Sequence, residues 1–245
     1  MNLSQRQKLS VTLLVLYWPT IFVITHIPIP RMVTQSQVSD KAIHFIAYLA
    51  LIFLWWFAVS PYKKVRWGKA LVWWTLVVMV WYSATDEWLQ SIVGRNADVY
   101  DFFANLAGAL SGLVLLSIFS FWSGSVIVSA VIIFSITTMT RTNLAELIPT
   151  SYAVFHLLAY AFFSLLWVQF LKRKYSALNP LQLKWVSIAS VLPLTLLVFL
   201  TAISILRRRP IGSIDMIVAV IGIATIIAAS YFAALRRRKF SKAVQ

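Results

Sequence analysis

The stretch DEWLQSIVGRNADVYDFFANLAGALSG, residues 86–112, sets four carboxylates, an arginine and two asparagines beside a glycine-spaced apolar run. The whole chain of 245 residues has only seven Asp and Glu, so this segment holds more than half of them. Asp101, Asn105, Gly108 and Gly112 recur at three- and four-residue intervals, which puts them on one face of a helix. An acid and an amide on the same face as two small residues predict a helix that docks closely against a neighbour, its polar groups turned into a bundle. The partner expected from the pattern is the helix carrying Asp86 or the one carrying His44.

The surrounding composition says what the bundle is immersed in. The chain is 60% hydrophobic, with eleven Trp and only 12% charged residues, and its mean hydropathy is +0.82. This is membrane composition. The absence of Cys excludes disulfides, thiolate metal sites and cysteine nucleophiles. A formal charge of +15 could suit nucleic acid, but no basic stretch is interleaved with a base-stacking or groove-reading pattern, so no nucleic-acid partner is expected.

Crossing a hydrocarbon core takes roughly 20 helical residues. Apolar segments of about that length lie near 11–29, 42–60, 70–86, 101–122, 125–140, 152–171, 184–206 and 214–235. The expected fold is therefore all-α: a polytopic membrane bundle of about eight transmembrane helices. The first segment follows Arg6 and Lys8 but ends in HIPIP, not in small residues, and reads as an uncleaved anchor. With the N-terminus on the cytoplasmic side, Arg6, Lys8, the 63–69 loop, Lys172 to Lys184 and the 236–242 tail place fifteen of the 22 Lys and Arg inside. That bias predicts a multi-pass membrane protein with both termini cytoplasmic. All seven acids and all three His then fall on the outer side. Acids contribute weakly to orientation, so their asymmetry points instead to an outward-facing polar site.

The chain also resembles itself. SDKAIHFIAYLALIFLWW (39–56) returns as TSYAVFHLLAYAFFSLLW (150–167), aligning His44 with His156 and Tyr48 with Tyr160. GRNADVYDFFANLAG (94–108) returns as RRPIGSIDMIVAVIG (208–222), aligning Arg95, Asp101 and Gly108 with Arg209, Asp215 and Gly222. Four spans per copy give both the same membrane orientation, a parallel 4+4 repeat with halves 1–122 and 123–245 and an uncharged junction at Trp122 to Ser125. The second half is degenerate: Tyr152 stands opposite Asp40, Leu200 and Thr201 opposite Asp86 and Glu87, and Gly212 opposite Asp98.

Three constellations in the first half could carry chemistry. Asp40, His44 and Tyr48 form one stripe at four-residue spacing, with Lys41 on the adjoining face, suited to a proton relay or to an anion. Asp86, Glu87 and Gln90 close the third segment near the membrane boundary, where a charge costs less than at midplane. Arg95, in the turn before Asp98 and Asp101, can fork to these carboxylates or to a ligand phosphate. Asp98 and Asp101 also complement the positive end of the helix that follows. No HExxH, GxSxG or P-loop occurs, so no metal, cofactor or catalytic nucleophile is assigned, and an enzyme is the less favoured reading.

DKAIHFIAY (40–48), DEWLQ (86–90) and GRNADVYDFFANLAGALSG (94–112), taken as an ordered set, resemble the VanZ-like family, whose marks are DK-x2-HF-x2-Y, DE-x2-Q and GR-x2-D-x2-D-x3-N-x2-G-x3-G. Val93 stands where the family usually has Pro. The resemblance covers about residues 10–120 and implies a bacterial inner-membrane protein connected with low-level teicoplanin resistance. Joined to the polar cluster, it leads to an expected role in recognising a cell-envelope lipid or glycan-linked headgroup, with Lys41 and Arg95 on the anion and Asp86, Glu87 and Asp101 holding them. A proton-coupled transporter or flippase of a lipid phosphate, and a metal-assisted membrane hydrolase, are the alternatives.

Overall fold

A computed structural model of the chain describes residues 4–26, 40–93, 98–139, 149–175, 180–208 and 210–243. Among these the secondary structure is wholly helical: α1 (Gln5–His26), α2 (Asp40–Val59), α3 (Ala70–Ile92), α4 (Val99–Ile118), α5 (Phe121–Met139), α6 (Pro149–Lys174), α7 (Leu183–Leu206) and α8 (Ser213–Ala243). Six of them, α2 and α4 to α8, are long and apolar enough to cross a membrane, as expected of a polytopic helical bundle. The apolar part of α1 is shorter, Gln7–Val23, and α3 ends in the carboxylates Asp86 and Glu87.

The chain divides into two compact units, Met1–Gly124 and Ser125–Gln245. The stretch Trp122 to Ser125, expected to be a turn, lies inside α5. The break comes earlier, at Phe119 and Ser120. The Ser120 carbonyl accepts the Gly124 N–H at 2.8 Å and its hydroxyl lies 3.3 Å from that of Ser123, so a serine at the helix start, where serine is favoured, moves the boundary toward the N-terminus.

In the first unit α2 is the central element and packs chiefly on α4, with α1 on its other side and α3 on α4. Close approach of α2 and α4 depends on two glycines. A Cβ on Gly108 would run into the backbone carbonyl of Phe45, and one on Gly112 into the side chain of Ile52. Lipid tails are as apolar as leucine, so such helix pairs are held by tight packing and polar contacts more than by water exclusion. Buried Leu51, Ile52, Trp56, Met79, Leu113 and Leu116 fill the interior. An edge-to-face contact of Trp18 with Trp55 and another with Tyr82 tie α1 to α2 and α3. At one end the loop after α2 folds back on α4: Val65 N–H donates to Leu116 O (3.1 Å) and Lys64 Nζ to Ile118 O (2.5 Å), a cation at the negative end of a helix. The opposite end, where α2 and α4 begin and α3 finishes, gathers the acids.

In the second unit α6 packs chiefly on α8, and both contact α7. Its core joins Tyr160, Phe163, Trp185, Leu197, Leu200, Ala219 and Ile223. Here too a glycine marks the tightest crossing: a Cβ on Gly222 would meet the Leu157 carbonyl at 2.6 Å.

Candidate functional site

Asp98 caps α4, its carboxylate accepting the Tyr100 N–H at 2.8 Å, which starts the helix where Asp101 and Asn105 must face inward. Lys41, one residue into α2, reaches across to Asp98 Oδ2 at 2.8 Å and to Asp101 Oδ1 at 3.6 Å, and its ammonium sits 5.6 Å from the Tyr100 ring. The Lys41 hydrogen bond, followed by that from the Tyr100 N–H, holds the Asp98 carboxyl below the usual carboxylate range. Lys41 keeps about half of its side chain exposed, so the site has a charged lip.

Below the lip the polar groups are buried. Asn105 is fully enclosed. Its Nδ2 donates to Ser83 Oγ at 3.0 Å and to Glu87 Oε1 at 3.4 Å, which turns its Oδ1 toward His44 Nδ1 at 3.0 Å. With the amide in this orientation, Nδ1 is the histidine nitrogen that carries hydrogen and donates. His44 Nε2 then points to the other side, 3.9 Å from Asp40 Oδ1 and 3.9 Å from Asp101 Oδ2. Glu87 Oε1 lies 3.8 Å from Nδ1. Asp86, also buried, accepts from Gln90 Nε2 at 3.2 Å and lies 3.9 Å from His26 Nδ1.

Tyr48 continues the stripe inward, stacked on Tyr82 with ring centroids 5.7 Å apart. No hydrogen bond within 3.5 Å reaches its hydroxyl among the described residues. Beside it a cavity of about 10 Å³ is lined by His44, Tyr48, Tyr82 and Asp86, enough for about one water molecule. The interior beside Tyr48 therefore has room for a water molecule or a small ion and for nothing larger.

Asp40, Lys41, His44, Tyr48, Asp86, Glu87, Gln90, Asp98, Asp101 and Asn105 are thus brought to one end of the first unit. Arg95 and Arg209 lie outside the described residues. In the second unit His156 is enclosed by the rings of Tyr152 (4.7 Å), Phe155 (5.5 Å) and Tyr160 (6.0 Å), and Asp215 stands in the first turn of α8. Two participants were not singled out from the sequence. Ser83 shares a face of α3 with Glu87 and Gln90 at helical spacing, a signal available in the pattern. His26 meets Asp86 from α1, a contact that no spacing announces.

Residues 2–120 match the family model described as VanZ/LLP1. Neither the curated proteins nor the solved structures compared with the chain gave a match. The matched stretch contains every residue of the α2, α3 and α4 cluster, and it is residues 2–120, just under half of the chain, that match the VanZ-like family.

Proposed function

We propose that the first unit recognises the anionic headgroup of a cell-envelope lipid or lipid-linked glycan, and so affects envelope assembly or susceptibility to teicoplanin-like glycopeptides. The observation that carries this reading is the half-exposed Lys41, placed by Asp98 and Asp101 at the mouth of a buried acid, amide and imidazole network. The carboxylates fix the ammonium's position, and its open side is left for a phosphate or carboxylate. The basic 63–69 loop at the other end of the unit supports an orientation with that loop cytoplasmic and the cluster facing outward in the inner membrane. Supporting a duplicated architecture, Gly108 approaches Phe45 O as Gly222 approaches Leu157 O, and these are aligned positions of the two copies.

The pair of Lys41 with the partly exposed Asp98 contributes little, but Lys41 also lies 3.6 Å from the buried Asp101. Lys41→Ala is therefore expected to lower the melting temperature of the purified protein while leaving it cooperatively folded, and to remove the glycopeptide protection given by expression at equal membrane level. Undiminished protection in that variant would count against the reading. A proton-coupled flippase is the second reading, favoured by His44 lying between Glu87 and Asp101 at 3.8 and 3.9 Å. Proton-dependent lipid translocation in liposomes separates it from binding alone.

A further inference from the structure

We infer that Asp40, His44 Nε2 and Asp101 form a three-donor site for a borderline divalent cation, of the zinc type. Asp40 Oδ1 and Asp101 Oδ2 each lie 3.9 Å from His44 Nε2, and ligand atoms of the three residues all fall within 4.8 Å of one another. These gaps are too long for hydrogen bonds. Donors held at about 2.0–2.2 Å from one tetrahedral ion stand roughly 3.3–3.6 Å apart, so shifts of a few tenths of an ångström would close the two gaps at His44, and the two carboxylates, within 4.8 Å of each other, would draw together by roughly 1 Å at most.

The imidazole is already prepared for this role. His44 Nδ1 is committed to Asn105 Oδ1 at 3.0 Å, which leaves Nε2 as the nitrogen facing the two carboxylates. A histidine ligand whose other ring nitrogen donates to a fixed acceptor is the usual arrangement around protein-bound metals. The same bond decides between two possible donor sets. His44, Asp86 and Glu87 also lie within 4.8 Å of one another, but Glu87 faces Nδ1, the nitrogen already used.

A further observation calls for positive charge. Asp101, whose side chain is 95% buried, makes no hydrogen bond through Oδ1 among the described residues. Desolvated carboxylate oxygens are costly unless a cation or donors compensate them. Among the described residues, the permanent cation in ion-pair range is Lys41, at 3.6 Å from Asp101 Oδ1 and closer to Asp98. It approaches Asp101 from the Oδ1 side, leaving Oδ2 to the imidazole. One nitrogen with two carboxylates suits zinc or manganese better than calcium, which prefers an all-oxygen shell. Asp40, with 44% of its side chain exposed, gives the ion a route in. An ion with three protein donors keeps coordination positions open, and these would take an oxygen of the anionic headgroup. That last step rests on the proposed function; cation binding itself does not.

Zinc alone is titrated into the lipid-depleted, detergent-solubilised full chain against a chromophoric chelator. Saturable binding of one zinc per chain is expected, weakened at least about tenfold in Asp40→Asn, as is typical when one ligand or its support is lost. Asp40 is exposed enough for that variant to fold, and His44→Gln, checked by its melting temperature, is the second. No saturable zinc, or equal affinity in parent and folded variants, overturns the site. A parent that takes no zinc yet retains an envelope lipid overturns the cation while leaving the headgroup reading in place. Zinc without any retained lipid supports the cation and removes the headgroup step.

Discussion

Gly108→Leu is expected to yield no folded first unit. The hydrogen it replaces points at the Phe45 carbonyl, so even the first carbon of a side chain would overlap backbone of α2. Backbone cannot swing aside as a flexible side chain can. Overpacking a formed core costs about 1–3 kcal/mol and occasionally more, and here the whole α2–α4 contact must open to admit four carbons. Because α2 carries Asp40, Lys41 and His44 while α4 carries Asp101 and Asn105, the same displacement pulls the polar cluster apart. Gly68→Ala is the matched control, since a Cβ there meets nothing within 4 Å. Thermal unfolding in detergent should show the control melting with the parent and Gly108→Leu without a cooperative transition. A Gly108→Leu variant that melts like the parent would mean that the two helices do not meet at this crossing.

Asn105→Leu should be the most damaging change among the polar residues. The amide is fully buried and serves His44, Ser83 and Glu87 together. Leucine is nearly isosteric, so the loss would be one of hydrogen bonding and not of volume. Each buried group left unsatisfied costs about 1–3 kcal/mol, and with three affected partners a loss of about 3 kcal/mol or more is expected. The melting temperature of Asn105→Leu should therefore fall by many degrees. Ser83→Ala, which removes one partner of Asn105 Nδ2 while Glu87 remains, should fall far less. Equal, small losses for both would show that the network contributes little to folding.

Much of this arrangement was legible before any coordinates. The spacing of Asp101, Asn105, Gly108 and Gly112 placed all four on one inward face of α4, and all four are buried. Helical periodicity likewise put Asp86 and Gln90 side by side, where they now share a hydrogen bond. A single helix's pattern shows which of its faces is turned inward but not the rotation of its neighbour. The meeting of Asn105 with Ser83, and of Asp86 with His26, therefore had no signal in spacing. The α4–α5 break was misplaced because an uncharged run beginning at Trp122 looks like a linker, whereas Ser120 offers the cap and the aromatic residues after it continue the helix. The weakened chemistry of the second half was plain in the replacement of Asp40 by Tyr152, but the ring enclosure of His156 needed the packing.

The central claim is that the cluster formed by α2, α3 and α4 is a ligand site and not only an internal salt-bridge network. Native mass spectrometry of the detergent-extracted protein with its co-purified lipids tests it most directly. The parent is compared with Lys41→Ala/Asp101→Asn and with Lys69→Ala, which alters an exposed cation in the loop at the opposite end. One selective envelope lipid is expected on the parent and on Lys69→Ala, and none on the double variant. The same lipids on all three proteins, or no selective lipid on any, would contradict it and leave the buried carboxylates as scaffold.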